Sequence, residues 1–475
     1  MDTKKYRLGM VGLGVMGRNL VLNMANHGFA VAGYDKDKEK VKELKVEGQD
    51  KSVYGFDDIE DFINSLAQPK TVMILVPAGQ PVDSVIDDVL PFLSEDDILI
   101  DGGNSHYKDT DLRAKKLAKK KIHYLGTGIS GGEHGARFGP SIMPGGPVEA
   151  YEQIRDIFEA VAACVDNTPC VTWLGPGSAG HYVKMVHNGI EYALMQLIAE
   201  TYDIMSQLLG FSCERLSQIY EKWNDGPLNS YLIKITSDIF HKIDKKSHKH
   251  LVEVILDEAH QKGTGAWSSE SALELQVAVP TIDTAVQMRY LSGYKNLRRE
   301  ESKLLKGPLS VLKTEPDSLI DDLGEALLAG FIISYSQGFS LLDAASRAMD
   351  YNLDKEKIAV IWRGGCIIRS SLLNEISLAF RENPGLPSLL ENIELSKQVV
   401  KLQEGLRRVV QTAAGSGVPA PGLMSILSYY DSIRSAWLPA NLIQAQRDYF
   451  GSHQYQRIDE KGSFHTEWNL QDNLV

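Results

Sequence analysis

Apolar positions follow two rhythms along this chain. Through about residue 178 they gather in short runs that stop at glycine, asparagine or serine: 7–11 before Gly12, 29–35, 70–76 before Pro77, 97–101 before Gly102, and 123–126 running into Thr127-Gly-Ile-Ser-Gly-Gly-Glu133. Runs of this kind, separated by helical patterns, predict buried parallel strands alternating with helices. After Trp173-Leu-Gly-Pro-Gly-Ser178 the period lengthens, and 179–438 reads as long amphipathic helices with short breaks. The first is predicted over about 180–209, with Gly210 as its C-cap. A last helix spans 439–451, followed by a tail whose Phe464, His465 and Trp468 are more aromatics than a disordered end carries. The pattern predicts three domains, 1–178, 179–438 and 439–475. A faint repeat is also visible, in that a long helix leading to Trp223-Asn-Asp-Gly is echoed from Leu323 to Trp362-Arg-Gly-Gly.

The first strand ends in Gly12-Leu13-Gly14-Val15-Met16-Gly17 and opens a helix, and an acid, Asp35, closes the next strand 18 residues beyond Gly17. Gly12 permits the tight turn, Gly14 lets backbone approach a pyrophosphate, and Gly17 allows close packing of helix on strand. In that context the glycines are the fingerprint of a Rossmann-type dinucleotide-binding domain, with the anion at the helix amino end. Asp35 would accept from the adenosine ribose hydroxyls and repel a 2′-phosphate. Lys36 pulls the other way and Asp37 opposes it, so NAD is favoured, with NADP as the alternative.

Within the first long helix Lys184, Asn188, Glu191 and Tyr192 fall within about a quarter turn of one another, and His187 flanks them. The rest of that helix is apolar, so its lysine and glutamate face burial. Burial lowers a lysine pKa and raises a glutamate pKa toward the range of acid–base catalysts. A Lys/Glu ion pair on an ordinary helix is the other reading of the same spacing.

Composition narrows the partners. A formal charge of −12 argues against nucleic acid, and no apolar run reaches membrane-spanning length, since 326–342 is broken by Ser334, Tyr335, Ser336 and Gln337. The start lacks a signal-peptide pattern, which points to the cytoplasm. Four scattered cysteines without histidine partners predict neither disulfides nor a metal site. The tail aromatics would be covered by packing on a neighbouring subunit, giving a homodimer.

Taken together, Gly12–Gly17, Asp101-Gly-Gly-Asn-Ser105, Ser130-Gly-Gly-Glu133, Lys184–Tyr192, Gln261-Lys-Gly-Thr-Gly265 and Gln446-Arg-Asp-Tyr-Phe-Gly451 resemble the decarboxylating 6-phosphogluconate dehydrogenases along essentially the whole chain. The resemblance implies oxidative decarboxylation of a phosphorylated sugar acid, without a metal, with Lys184 as base and Glu191 as acid. It implies that Asn104, Ser130, Gly131, Gly132, His187 and Asn188 orient the sugar acid. Tyr192, Lys262 and Arg289 match the phosphate clamp, with Arg447 and His453 coming from the other subunit of the dimer. Around the cofactor it implies roles for Val76, Pro77, Ala78 and Asn104. The chain departs from that family at Asp35-Lys36-Asp37, where Asn-Arg-Ser/Thr is usual, and at Gly14 and Pro77, where Ala and Lys are common. All three departures resemble its NAD-preferring relatives. A non-decarboxylating β-hydroxyacid dehydrogenase is the nearest rival, and a non-catalytic NAD-binding scaffold is the remote one.

Overall fold

The computed structural model describes residues 5–308 and 316–468. Seven strands form one sheet in the order β3-β2-β1-β4-β5-β6-β7: β1 (Leu8–Val11), β2 (Val31–Tyr34), β3 (Val53–Phe56), β4 (Thr71–Ile74), β5 (Ile98–Asp101), β6 (His123–Ser130) and β7 (Ser141–Gly145). The first six are parallel, and β7 is antiparallel to β6. Leu8, Met10, Leu20 and Phe158 pack on one face of the sheet, and Val72, Ile74, Ile86 and Leu99 on the other, so the strands are buried on both sides as their unbroken apolar runs predicted. The chain reverses direction across the sheet between β1 and β4, which sets the turns after those strands side by side at the crevice where such folds bind ligands.

One strand is longer than the sequence pattern indicated. Residues 127–130, expected as a glycine-rich turn, continue β6, because they pair with β7 from Thr127↔Pro144 to Ser130↔Ser141. The turn begins only at Gly131, whose φ of 112° suits glycine.

The helical part is organised around two long helices, Ala179–Leu209 and Pro316–Ala348, that lie against each other. The second is long and apolar enough to cross a membrane, but 83% of its most apolar window is buried inside the protein. Its polar interruptions fit that role: Gln337 is fully buried, accepts from Thr281 N (3.1 Å) and donates to Thr281 Oγ1 (3.0 Å). The faint repeat has a physical counterpart. Each long helix precedes a packed pair, Cys213–Asn224 with Tyr231–His241 and Lys355–Ile361 with Leu372–Glu382. The two pairs touch where Ser230 bridges Ser370 in antiparallel fashion.

Chain contacts separate two compact units, 1–426 and 427–475, so the α/β and helical parts lie within one unit. In the second, the helix Ala440–Gly451 ends at Ser452, which takes the left-handed conformation (φ 51°) in place of the glycine stop anticipated at 451. The tail folds back within its own unit. Asp448 is fully buried and accepts from Gln454 N, Thr466 N and Trp468 Nε1, with the His465 ring at 2.9 Å. These four contacts hold its carboxyl well below the usual carboxylate range against the opposing effect of burial. Trp468 and His465 therefore have partners inside the chain.

Candidate active site

The turns after β1 and β4 border a cavity of about 450 Å³ lined by Gly12, Gly14, Asp35, Lys36, Val76 and Pro77. A Cβ at Gly17 would lie 1.9 Å from Gly12 O, so only glycine lets this helix start so close to its strand. Around Gly14 the space is open, and the helix Val15–Asn26 begins without a side-chain cap, leaving first-turn N–H groups, including those of Val15 and Met16, available to an anion. Leu13 keeps its side chain in the core and donates its backbone N–H to Asp35 Oδ2 at 2.8 Å, while Asp37 N donates to Oδ1 at 2.9 Å. Ala78 is exposed on the turn after β4. Three residues bordering the cavity escaped the sequence analysis: Lys40, 3.6 Å from Asp35, Ser84, and Asp88, which pairs with Lys36 at 2.8 Å.

At the other end of the sheet the helix Ala179–Leu209 lies against β6. A Cβ at Gly128 would approach the Lys184 Cβ to 2.3 Å, so the lysine stem is pressed onto the strand. Lys184 is 6% exposed, and its Nζ donates to Asn188 Oδ1 at 2.8 Å. His187, fully buried, has Nδ1 3.1 Å from the same oxygen and Nε2 3.3 Å from Ser130 Oγ, and its ring stands edge-on to Trp362. Lys184 Nζ lies 3.4 Å and Glu191 Oε2 3.8 Å from His187 Nδ1, so amine and carboxyl converge on one imidazole nitrogen. They are not joined to each other within ion-pair distance, which sets this arrangement apart from a plain Lys/Glu pair. Burial pushes Lys184 down and Glu191 up, and burial together with the Lys184 charge holds His187 well below its ordinary value, so that it is a neutral imidazole. Asn104, exposed beyond β5, borders a narrow cleft with Lys184 and Asn188, and Gly131 and Gly132 open the helix Gly132–Phe138 just past Ser130.

The next turn of the helix gathers another group. The Arg289 guanidinium lies 3.8 Å above the Tyr192 ring, anchored by a hydrogen bond to His260 O. Lys262 is exposed just ahead of the helix Thr264–Glu274, which presses on the same ring, since a Cβ at Gly265 would meet it at 2.5 Å. Tyr192 and Arg289 thus meet at one spot, and Lys262 lies three residues before Gly265, which packs on that ring. Arg447 and His453 lie in the C-terminal unit, both exposed, with Arg447 donating to Gln444.

A buried scaffold behind the site was also missed. Asp101 is fully buried and accepts from Ser105 Oγ (2.6 Å), Tyr124 OH (2.9 Å) and Gly103 N (3.1 Å). Arg113 reaches Ser105, holds Asp83 through two hydrogen bonds and donates to Gly79 O in the turn after β4. His181, one turn before Lys184, bridges Asp101 O and Thr110 Oγ1. The turn after β4, the Asn104 loop and the helix Ala179–Leu209 are therefore tied into one hydrogen-bonded frame. The only local hint was the histidine three residues before Lys184; Arg113 sits among ordinary surface lysines in the sequence.

Comparisons with known proteins agree with the fold. The family model described as the NAD binding domain of 6-phosphogluconate dehydrogenase matches residues 7–175, and that of the 6-phosphogluconate dehydrogenase C-terminal domain matches 180–468. A Bacillus subtilis protein, 6-phosphogluconate dehydrogenase, NADP(+)-dependent, decarboxylating, is 50% identical over 98% of this chain and 99% of its own. A Saccharomyces cerevisiae 6-phosphogluconate dehydrogenase, decarboxylating 1, is 49% identical over 96% and 94%. Among solved structures, Plasmodium falciparum 6-phosphogluconate dehydrogenase, studied as apoprotein, with NADP+ and with 6-phosphogluconate, superposes with a TM-score of 0.94 at 43% identity, covering 97% of this chain and 100% of that one.

Proposed function

The chain belongs to the 6-phosphogluconate dehydrogenase family, and from that premise we propose that it oxidises and decarboxylates 6-phosphogluconate to ribulose 5-phosphate and carbon dioxide. The observation that carries the proposal is the convergence of Lys184 and Glu191 on His187, with their proton affinities displaced in opposite directions.

Lys184, in the neutral form that burial favours, takes the proton from the hydroxyl on carbon 3. A nicotinamide cofactor held by the Gly12–Gly17 turn and Asp35 would supply the acceptor for the hydride from that carbon. The resulting 3-keto acid carries its ketone β to the carboxylate, so carbon dioxide leaves as the electron pair moves onto the ketone oxygen. Protonated Lys184 stabilises that oxygen by charge and hydrogen bond, and returns its proton there. Glu191, whose proton affinity burial raises, then protonates carbon 1 of the enediol while Lys184 takes the hydroxyl proton back and the ketone forms. Asn104, Ser130, Gly131, Gly132, His187 and Asn188 hold the sugar acid in register. Arg289, stacked and oriented on Tyr192, offers its remaining N–H groups to the phosphate with Lys262.

The clamp is completed by Arg447 and His453 of a second copy in a homodimer. What supports this is the exposure of both residues beside uncovered Leu442, Ile443, Tyr449 and Phe450 on the C-terminal unit. Truncation after Gly451 should weaken the dimer and the activity together, as read by sedimentation and by assay.

Of the two nicotinamide cofactors NAD is favoured. Asp35 borders the cavity with its carboxylate fixed by two backbone N–H groups, and Lys36 is drawn away by Asp88. Lys40 is the countervailing charge, and the Bacillus subtilis relative is named NADP(+)-dependent. Steady-state assay with 6-phosphogluconate and each cofactor, following carbon dioxide release, tests the whole reading. No turnover overturns the reaction, and a higher kcat/KM for NADP overturns only the cofactor assignment.

A further inference from the structure

A second cavity, of about 340 Å³, lies where the two halves of the helical repeat meet. Tyr231 N donates to Arg369 O and Ser371 N to Asn229 O, so two short strands of backbone are knitted across the join. Lys234, Arg363 and Arg369 border the cavity together with Ser230, Ser371 and Asn374, and no carboxylate does.

The cations are poorly neutralised. Arg363 meets Asp166 at 3.3 Å and Lys234 meets Asp238 at 3.0 Å, but those carboxylates are 81% and 61% exposed, where water screens such pairs to a small net effect. Arg369 is oriented with care: its guanidinium stacks 3.7 Å over the Tyr231 ring and donates once, to Cys366 O at 2.6 Å. Its other N–H groups have no partner among the described residues. The helix Leu372–Glu382 also starts here, adding the positive end of its dipole. An oriented arginine with a free edge, two further cations, hydroxyls and amides make a receptor for a compact phosphate group.

The pocket is mechanically joined to the active site. Trp362, beside Arg363, supports the His187 ring, and Gly365 O receives Ser141 N and lies where a Cβ at Gly131 would come within 2.5 Å. We propose that this pocket binds a small phosphorylated anion and that its occupancy alters turnover by moving the 362–371 segment behind His187 and Gly131.

Inorganic pyrophosphate is the probe. It is titrated calorimetrically at low salt, with NAD at saturation to fill the pyrophosphate-binding turn at Gly12–Gly17, into full-length protein carrying Lys262→Gln and Arg289→Gln, which disables the substrate's own phosphate clamp. One binding event per chain is expected, weakened at least tenfold by adding Arg363→Gln and Arg369→Gln. Because loss of Arg369 can loosen the fold, Ser371→Asp is the second variant; it sets a carboxylate at the rim and should weaken binding by a similar factor with an unchanged unfolding midpoint. In the otherwise unsubstituted protein, pyrophosphate should change kcat at saturating 6-phosphogluconate, and Ser371→Asp should abolish that change. Absence of binding, or binding undiminished in both variants, overturns the site; intact binding with no change in kcat overturns its regulatory role. Neither result bears on the assignment of Lys184 and Glu191.

Discussion

Two carboxyls on the same helix, half-buried Glu191 and buried Glu200, have been given opposite surroundings. Nine residues put them on opposite sides of the helix. Glu200, 3% exposed, is saturated: it accepts from Gly422 N at 2.7 Å, Leu423 N at 2.8 Å and Gln196 Nε2 at 2.8 Å, capping the helix that starts at Pro421. Among the described residues Glu191 has no such fixed donor: the His187 ring lies 3.8 Å away, and Lys184 and Arg289 act on it through their charges. A buried acid whose lone pairs are all occupied by fixed donors is a structural member, whereas one left without them is kept free for a ligand. Burial raises both, Glu200 to about 7, so pKa alone does not distinguish them; the hydrogen-bond partners do.

The largest effect should come from Lys184→Met. It removes the proton acceptor on the Glu191 side of the helix, and kcat should fall by roughly 10³-fold or more. The affinity for 6-phosphogluconate should stay within about tenfold, because the lost interaction is used mainly in the transition state. Near-normal turnover would erase the functional half of the comparison.

Glu191→Gln comes next, with kcat reduced by roughly 10²–10³-fold and the unfolding midpoint unchanged. If Glu191 were instead a structural acid like Glu200, stability would fall and kcat would not. Measuring both in one variant is what makes the test sharp.

The pH profile refines the same contrast. Below the active range both Lys184 and Glu191 carry protons and there is no base; above it neither does and there is no acid. Activity requires the singly protonated pair, so kcat/KM should be bell-shaped, with limbs that belong to the pair as a whole. Burial lowers Lys184 and raises Glu191, and both displacements narrow the bell relative to free side chains. The Glu191→Gln variant should lose the limb on the alkaline side from its residual activity.

The sequence showed one side of this contrast more clearly than the other. Lys184, Asn188 and Glu191 could be placed on one stripe because helical spacing is local, and the glycine fingerprint could be read because Gly12 and Gly17 sit five residues apart at a strand end. Glu200 was not legible, since its partners are more than 220 residues away at Gly422 and Leu423. Arg113 and His181 were hidden for the same reason: they join Gly79, Asp101 and Thr110 only once the sheet has formed. Strand β6 was cut short because its last four residues, 127–130, are held by pairing with β7 and have no strand-like composition of their own. The anchor of the tail inside its own unit was not legible for want of one long-range fact, that Asp448 binds Trp468.

Glu200→Gln should have the smallest effect on turnover, within about twofold, and a measurable one on stability. Glutamine has a single acceptor oxygen, so either Gly422 N or Leu423 N loses its partner and faces an amide NH₂ group, which costs about 1–3 kcal/mol for a buried donor. The sign of its pH dependence follows from burial. The folded-state value, about 7, lies above the ordinary 4.5, so Glu200's contribution to stability is full below about 4.5 and is lost as pH rises through about 7. The gap between the unsubstituted protein and the variant, measured by urea unfolding, should therefore be wider at pH 5 than at pH 8. A variant that unfolds like its parent but turns over slowly would place Glu200 on the functional side and dissolve the distinction drawn between the two acids.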